Sequence, residues 1–230
     1  MRNSLFEPSR ELSVIGDFDV VIVGGGVAGC AAALAAARNG ASVCIIEKEH
    51  ALGGLATLGL IAIYLPLCDG MGNQVVAGLG EEFLKLSIRY GPGEIPVCWR
   101  LPSGLEERAK QRYSLTFNPA SFAIALEELL LQNGVDLLYD NRFCNTVVEE
   151  HRIIGLVVEN KSGRCAVRCK IAVDATGDTD ICHMAGEETV ALNTNRRSGW
   201  FYAFDGQGTQ TEPQLSLQIS GDSLYEELPA

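Results

Sequence analysis

Residues 18–47 read FDVVIVGGGVAGCAAALAAARNGASVCIIE, and this stretch decides the fold. The β-branched run at 18–23 predicts a buried strand that enters a glycine turn. The Ala-rich run at 27–39 predicts a helix that ends at Gly40, and the run at 42–46 predicts a second strand. Because a helix connects the two strands, the right-handed crossover rule makes them a parallel pair.

Three glycines with the spacing G-x-G-x-x-G lie between the first strand and the helix: Gly24, Gly26 and Gly29. In this context Gly24 permits the tight turn, Gly26 lets a pyrophosphate approach the backbone, and Gly29 lets helix and strand pack closely. The spacing therefore predicts a dinucleotide site, and it leaves FAD and NAD open.

The ends of the helix and of the second strand supply the other expected contacts. N–H groups at Val27 and Ala28 belong to a helix N-terminus, where partial positive charge favours phosphate. Glu47 ends the second strand and is expected to accept hydrogen bonds from the ribose hydroxyls of an adenosine, with Lys48 beside it. The negative charge of Glu47 disfavours a 2′-phosphate.

Local patterns predict the remaining elements with less detail between residues 53 and 80. These elements are a helix over 81–89, a helix from Asn118-Pro119 to 132, a strand over 135–139, a three-stranded antiparallel meander within 143–173, a short helix over 179–185 and a strand over 215–219.

Two later motifs resemble FAD-dependent oxidoreductases of the glutathione-reductase-like lineage. One is a glycine pair soon after the ribose-binding acid, and the other is VDATGD at 173–178; residues 59–83 also resemble a less-characterised branch of these enzymes. Leu55 stands where the family often has Arg. The resemblance implies FAD as cofactor, with these residues near it: Gly53, Gly54, Thr57, Phe143 through its backbone, Ala175, Thr176, Gly177 and Asp178. A core position is the alternative for Phe143.

The fold class implied is α/β, a Rossmann-like FAD/NAD(P)-binding fold with an open parallel sheet and an inserted three-stranded antiparallel β-meander. We expect a leader at 1–17, an FAD-binding domain at 18–186 with the meander at 143–171, and the start of an incomplete substrate domain at 187–230. Members of the family are normally longer, which suggests a C-terminally truncated chain.

Composition limits the partners and the location. Acidic residues outnumber basic ones by 29 to 18, giving a net charge of −11, which argues against nucleic acid as a partner. The apolar run at 55–67 is too short to cross a membrane, and residues 1–17 carry no signal-peptide core. The eight cysteines form no C-x-x-C pair or metal pattern and are expected to be mostly buried thiols, which favours a reducing, cytoplasmic location.

Residues for catalysis leave a weak signature, because hydride transfer to a flavin is chemistry of the cofactor. Cys68 and Asp69 are candidates near the flavin ring, and His183 is a candidate for proton transfer. Arg196-Arg197 is a candidate for holding an anionic substrate, and His50 is expected at the surface. A structural or solvated role is the alternative for each, so the catalytic residues stay unknown.

The sequence thus favours an FAD-dependent oxidoreductase that transfers a hydride between a small organic substrate and bound flavin. Two alternatives remain open at this point: an NAD-dependent dehydrogenase domain, and a non-catalytic flavin- or nucleotide-binding fragment. The sequence names neither the substrate, nor the electron acceptor, nor the oligomeric state.

Overall fold

The structure is a computed structural model that describes residues 9–190 and the backbone of Gly199–Tyr202 and Leu215–Gln218. Its strands are β1 Val14–Val23, β2 Val43–Ile46, β3 Ile63–Tyr64, β4 Leu115–Thr116, β5 Val135–Leu138, β6 Arg142–Glu149, β7 Arg152–Asn160, β8 Gly163–Asp174, β9 Gly199–Tyr202 and β10 Leu215–Gln218. Its α-helices are α1 Val27–Arg38, α2 Leu79–Ser87, α3 Val97–Arg100, α4 Leu105–Lys110, α5 Pro119–Gln132 and α6 Asp180–Met184, with a 3₁₀ turn at Gly54–Ala56.

Six strands form the central sheet in the order β5-β2-β1-β8-β7-β6. The pairs β5·β2, β2·β1 and β1·β8 are parallel, whereas β8·β7 and β7·β6 are antiparallel. The predicted α/β class, the open parallel sheet and the antiparallel meander are confirmed. The meander and the parallel sheet are continuous, because β8 is long enough to pair with β7 near its start and with β1 as far as Asp174.

The first strand corrects the predicted leader. β1 begins at Val14, so residues 14–17 belong to the sheet. Val14 is in register with Ala166 of β8, and the Ala166 N–H donates to the Ser13 carbonyl at 2.9 Å. Residues 14–17 are in the sheet because β8 is long enough to pair with them. No local pattern at 14–17 predicts this pairing with a distant strand. The expected domain at 187–230 lies largely outside the described residues.

Both faces of the parallel strands are buried, as is typical of such sheets. One face packs against α1 and α5 through a cluster that includes Ile22, Val43, Ile45, Ala33, Leu34, Phe122 and Leu126. The other face packs against side chains of the meander and of α6 through a cluster that includes Val21, Val23, Cys44, Ile46, Leu156, Val158, Val167 and Ile181. Six of the eight cysteines are buried and all eight are free thiols, which confirms that most are buried.

Between β2 and α5 the chain leaves the sheet, and we call residues 53–117 the excursion. It holds the 3₁₀ turn, β3, β4 and the helices α2 to α4. α5 begins as predicted, with the Ser121 N–H donating to Asn118 Oδ1 at 3.0 Å, and returns the chain to β5. No helix in the described part of the chain is long and apolar enough to cross a membrane.

Candidate functional site

Two glycines of the first turn are required by contacts within the protein. Gly24 has φ +101°, and a Cβ built there would lie 2.3 Å from the Ala175 carbonyl oxygen. A Cβ on Gly29 would lie 1.9 Å from the Gly24 carbonyl oxygen. Both distances are far below van der Waals contact, so a side chain at either position would displace backbone. The turn at 24–29 is thus packed against itself and against residue 175.

Gly26 differs from both of these glycines. Its φ is −65°, which suits any residue, and a Cβ there would meet nothing within 4 Å. Gly26 is also the N-cap of α1 and offers no side chain to cap it. Helix geometry leaves the N–H groups of Val27, Ala28 and Gly29 without partners in the helix. The free space beside Gly26 is therefore bordered by the unpaired backbone N–H groups at the start of α1.

The second glycine pair borders the same space. Gly26 and Gly53 form a parallel β-bridge, and the Gly53 N–H donates to the Gly25 carbonyl at 2.8 Å. A Cβ on Gly54 would lie 3.2 Å from the Gly26 Cα. Thr57 is buried, and its hydroxyl donates to the Leu52 carbonyl at 2.5 Å. The Thr57 side chain therefore stabilises this turn, and its contact with a ligand stays a prediction.

Glu47 is buried at the end of β2 and holds the glycine turn directly. Its Oε2 accepts from the Gly25 N–H at 2.6 Å, and its Oε1 accepts from the Glu49 N–H at 2.9 Å. A carboxylate has about four acceptor positions, so acceptor capacity remains for two ribose hydroxyls. The sequence predicted a ribose contact for Glu47 and did not predict its bond to the turn.

The residues of VDATGD lie beside the glycine turn. The Ala175 N–H donates to the Val23 carbonyl at 2.9 Å, which ties the segment to the end of β1. Thr176 is half-buried, whereas Gly177, with φ +86°, and Asp178 are exposed. The structure thus brings the predicted residues of β1, α1 and β8 together at the carboxyl end of the sheet, where open α/β sheets bind ligands.

A cavity of about 390 Å³ lies at the end of β2, where Lys48 follows Glu47. The residues that line it are Lys48, Asp140, Arg142, Glu159, Asn160 and Lys161. Phe143 follows Arg142 in β6, and its side chain packs against the core cluster on the meander side of the sheet. The Phe143 side chain is therefore a core group, and the proposed contact of its backbone with adenine stays a prediction.

Comparison with known proteins decides the cofactor. Residues 19–200 match the family described as FAD dependent oxidoreductase. The chain belongs to this family. FAD is therefore its cofactor, and the NAD-dependent alternative falls away.

Individual relatives agree with the family. The chain is 25% identical over 179 residues to digeranylgeranylglycerophospholipid reductase 1 of Methanococcoides burtonii, covering 75% of this chain and 41% of that protein. It is 52% identical over 69 residues to vinyl phenol reductase of Lactiplantibacillus plantarum, covering 28% and 14% respectively. The crystal structure of a geranylgeranyl bacteriochlorophyll reductase-like protein from Thermoplasma acidophilum has a TM-score of 0.52 at 21% identity, covering 77% and 44%, and shares the fold.

The chain spans about two fifths of the length of the first of these relatives. Within that part, the geometry fits FAD. A phosphate has room at Gly26, donors at the start of α1 and two flanking glycines at 53 and 54. A buried carboxylate stands at Glu47 for the ribose.

The candidate reactive residues have structural contacts. Cys68 is buried in the core, and its sulfur accepts from the Tyr113 N–H at 3.3 Å. Asp69 is exposed and accepts from the Met71 N–H at 2.7 Å and the Asn73 amide at 2.8 Å, which shapes its loop. These contacts account for both residues without a reaction.

The two histidines considered above, His50 and His183, are both exposed. His183 Nδ1 lies 3.4 Å from the Thr189 hydroxyl, and His50 lies at the surface as expected. Arg196-Arg197 lies outside the described residues. A catalytic role for Cys68 or His183 stays a prediction.

Proposed function

We propose that this chain forms the FAD-binding part of an oxidoreductase that transfers a hydride between a small organic substrate and the flavin. When bound, FAD supplies the hydride chemistry, and the protein supplies binding and orientation. The observation that supports the proposal is the open space at Gly26, bordered by backbone donors of α1 and by Gly53–Gly54.

Each part of the site has a proposed task. The N–H groups of Val27 and Ala28 hold the pyrophosphate, and Glu47 accepts the ribose hydroxyls while it fixes the glycine turn. Lys48 and the cavity beside it take the adenine side. Two relatives carry the name reductase, which supports assays in the direction of substrate reduction.

The proposed partners are small molecules, without nucleic acid or membrane. The net charge of −11 supports this, since phosphate backbones and anionic lipids would be repelled. We place the protein in the cytoplasm, in keeping with eight free thiols.

The first experiment is the absorption spectrum of the purified protein, followed by identification of any ligand released on denaturation. We expect flavin absorption bands and released FAD, or reconstitution by added FAD. Colourless protein that binds NAD and no FAD would contradict the proposal. FAD that binds but is neither bleached by any electron donor nor, once reduced, reoxidised by any acceptor would support simple binding instead of oxidoreductase activity.

Gly26→Val tests the site itself. Because a Cβ at Gly26 meets nothing within 4 Å and φ is −65°, the variant should fold, yet its side chain fills the space for the pyrophosphate. We expect loss of FAD binding, with the same urea midpoint as the natural protein when both are compared as apoproteins. Gly104→Val is the matched control, since Gly104 also has open space and an ordinary φ of −75° but lies at the start of α4. Retained FAD in Gly26→Val would show that the motif is only a turn.

A further inference from the structure

Asp174 ends β8 and gathers four hydrogen bonds on one carboxylate. Oδ1 accepts from the N–H of Thr176 at 3.1 Å and from its hydroxyl at 2.7 Å. Oδ2 accepts from the N–H groups of Ile181 at 2.9 Å and Cys182 at 3.2 Å. Partial burial raises the pKa of the Asp174 carboxyl, and the bonds from Thr176, Cys182 and Ile181 outweigh it, so the pKa lies below its ordinary value. The group is therefore held as a carboxylate.

The Thr176 hydroxyl extends this network through the turn. It donates to Asp174 and accepts from the N–H groups of Asp178 at 3.3 Å and Asp180 at 3.1 Å. Two side chains thus bind five backbone N–H groups between residues 176 and 182. A turn whose donors are held in this way has one preferred path.

The turn held by Asp174 touches the first glycine turn through Ala175. The Ala175 N–H donates to the Val23 carbonyl, and the Ala175 carbonyl oxygen lies 2.3 Å from where a Cβ of Gly24 would stand. The Ala175 methyl lies 3.3 Å from the corresponding point at Gly29. Ala175 is thus in close contact with Gly24 and Gly29. A shift of Ala175 would therefore displace the glycine turn, which borders the space for the phosphate.

We propose that Asp174 is a positioning residue for FAD, which holds the turn at 175–178 against the glycine turn and so fixes the backbone that receives the pyrophosphate. The inference rests on the proposed FAD site and adds to it a residue that itself needs no contact with the cofactor. Asp174 acts through Thr176 and Ala175.

The test is the dissociation constant of FAD, measured by flavin fluorescence on apoprotein reconstituted with FAD. Asp174→Asn keeps the shape of the side chain but replaces one acceptor oxygen with an NH₂ group. That group would face the N–H and O–H donors that now bind the carboxylate. Thr176→Val keeps the volume and removes the hydroxyl, whereas Thr176→Ser retains it. We expect Asp174→Asn and Thr176→Val to weaken FAD binding at least tenfold, since each loses a bond to a charged group. Thr176→Ser should restore affinity to within about threefold of the natural protein.

Asn118→Ala separates positioning from general stability. It removes the N-cap of α5, at a different place in the fold, and should lower the urea midpoint while leaving FAD affinity unchanged. If the natural protein binds no FAD, the proposed function itself fails. If it binds FAD and Asp174→Asn binds equally well, Asp174 only stabilises the turn and the inference is wrong. Should Asp174→Asn not fold, the pair Thr176→Val and Thr176→Ser decides: equal affinity in the two would overturn the inference.

Discussion

The two glycine-rich regions of this molecule, the turn at 24–29 and the excursion, differ in what surrounds their glycines. In the turn, Gly24 and Gly29 meet backbone of the same β-α-β unit and Ala175. In the excursion, a Cβ on Gly72 would lie 2.4 Å from the Leu105 carbonyl oxygen, more than thirty residues away. The turn is thus packed by its own β-α-β unit and by the end of β8, whereas Gly72 packs against another segment of the excursion.

Exposure separates the two regions as well. β1, which leads into the turn, buries Val21 and Val23 on one face and Ile22 on the other. In the excursion Leu55 is 70% exposed and Leu65 is 71% exposed. The strand that leads into the turn is therefore buried on both faces, while the excursion has exposed apolar side chains on its surface.

Among variants of the two glycine-rich regions, Gly29→Ala should have the largest effect on stability. The new Cβ would stand 1.9 Å from the Gly24 carbonyl oxygen, so backbone must move. We expect a loss of about 3 kcal/mol, since overpacking outweighs the gain of about 1 kcal/mol that Ala brings to a helix over Gly. Urea unfolding of the apoproteins, followed by circular dichroism, measures it without the contribution of bound FAD. Gly26→Ala is the matched control and should leave the midpoint unchanged; a similar loss in both would mean that the turn tolerates no side chain anywhere.

Gly72→Ala should have a smaller and more local effect. Its φ of +94° and the near contact with Leu105 both oppose a side chain. We expect a loss of about 2 kcal/mol, because a left-handed conformation costs a non-glycine residue about 1 kcal/mol and the surface loop relieves part of the overlap. Hydrogen exchange should show faster opening in the excursion with the protection of β1 and β2 retained. Equal loss of protection in both regions would show that the excursion and the sheet unfold together.

What could be predicted from sequence depends on whether a feature is set by nearby residues or by partners far along the chain. The β-α-β unit, the N-cap at Asn118 and the meander follow from patterns within a few residues, because turn, cap and period act locally. The nucleotide-binding roles of Gly26 and Glu47 were predicted from the same kind of local motif, whereas that of the glycine pair at 53–54 came from the resemblance to a family.

Other features depend on partners far along the chain. The extension of β1 to Val14 requires β8, which lies about 150 residues later. The bond from Gly25 to Glu47, and the position of Asp174 beside Thr176 and α6, depend on how strand ends meet in space. Asp174 stands next to the recognised A-T-G segment, yet its role emerges only when four donors converge on it.

Asn118→Ala should reduce stability by about 1 kcal/mol, the usual value of an N-cap. Asn118 Oδ1 accepts from the Ser121 N–H at the start of α5, the helix that carries the chain from the excursion back to the sheet. Asn118→Asp retains the acceptor and is the control. Thermal or urea unfolding of both variants distinguishes them, and identical curves would show that Pro119 alone is enough to start the helix.

Leu65→Ala should have the smallest effect on the free energy of unfolding. Leu126→Ala is the matched comparison. The chemical change is the same, but Leu65 is 71% exposed and Leu126 is fully buried. We expect Leu65→Ala to change the unfolding free energy by less than about 0.5 kcal/mol and Leu126→Ala to lower it by about 2–5 kcal/mol. Urea titrations at several protein concentrations measure both. If Leu65→Ala is costly, and more so at higher concentration, then the apolar surface of the excursion is covered in solution by a second copy of the chain. The two regions would then differ in what covers them: the glycine turn is packed by its own chain, and the excursion would be covered by a second copy.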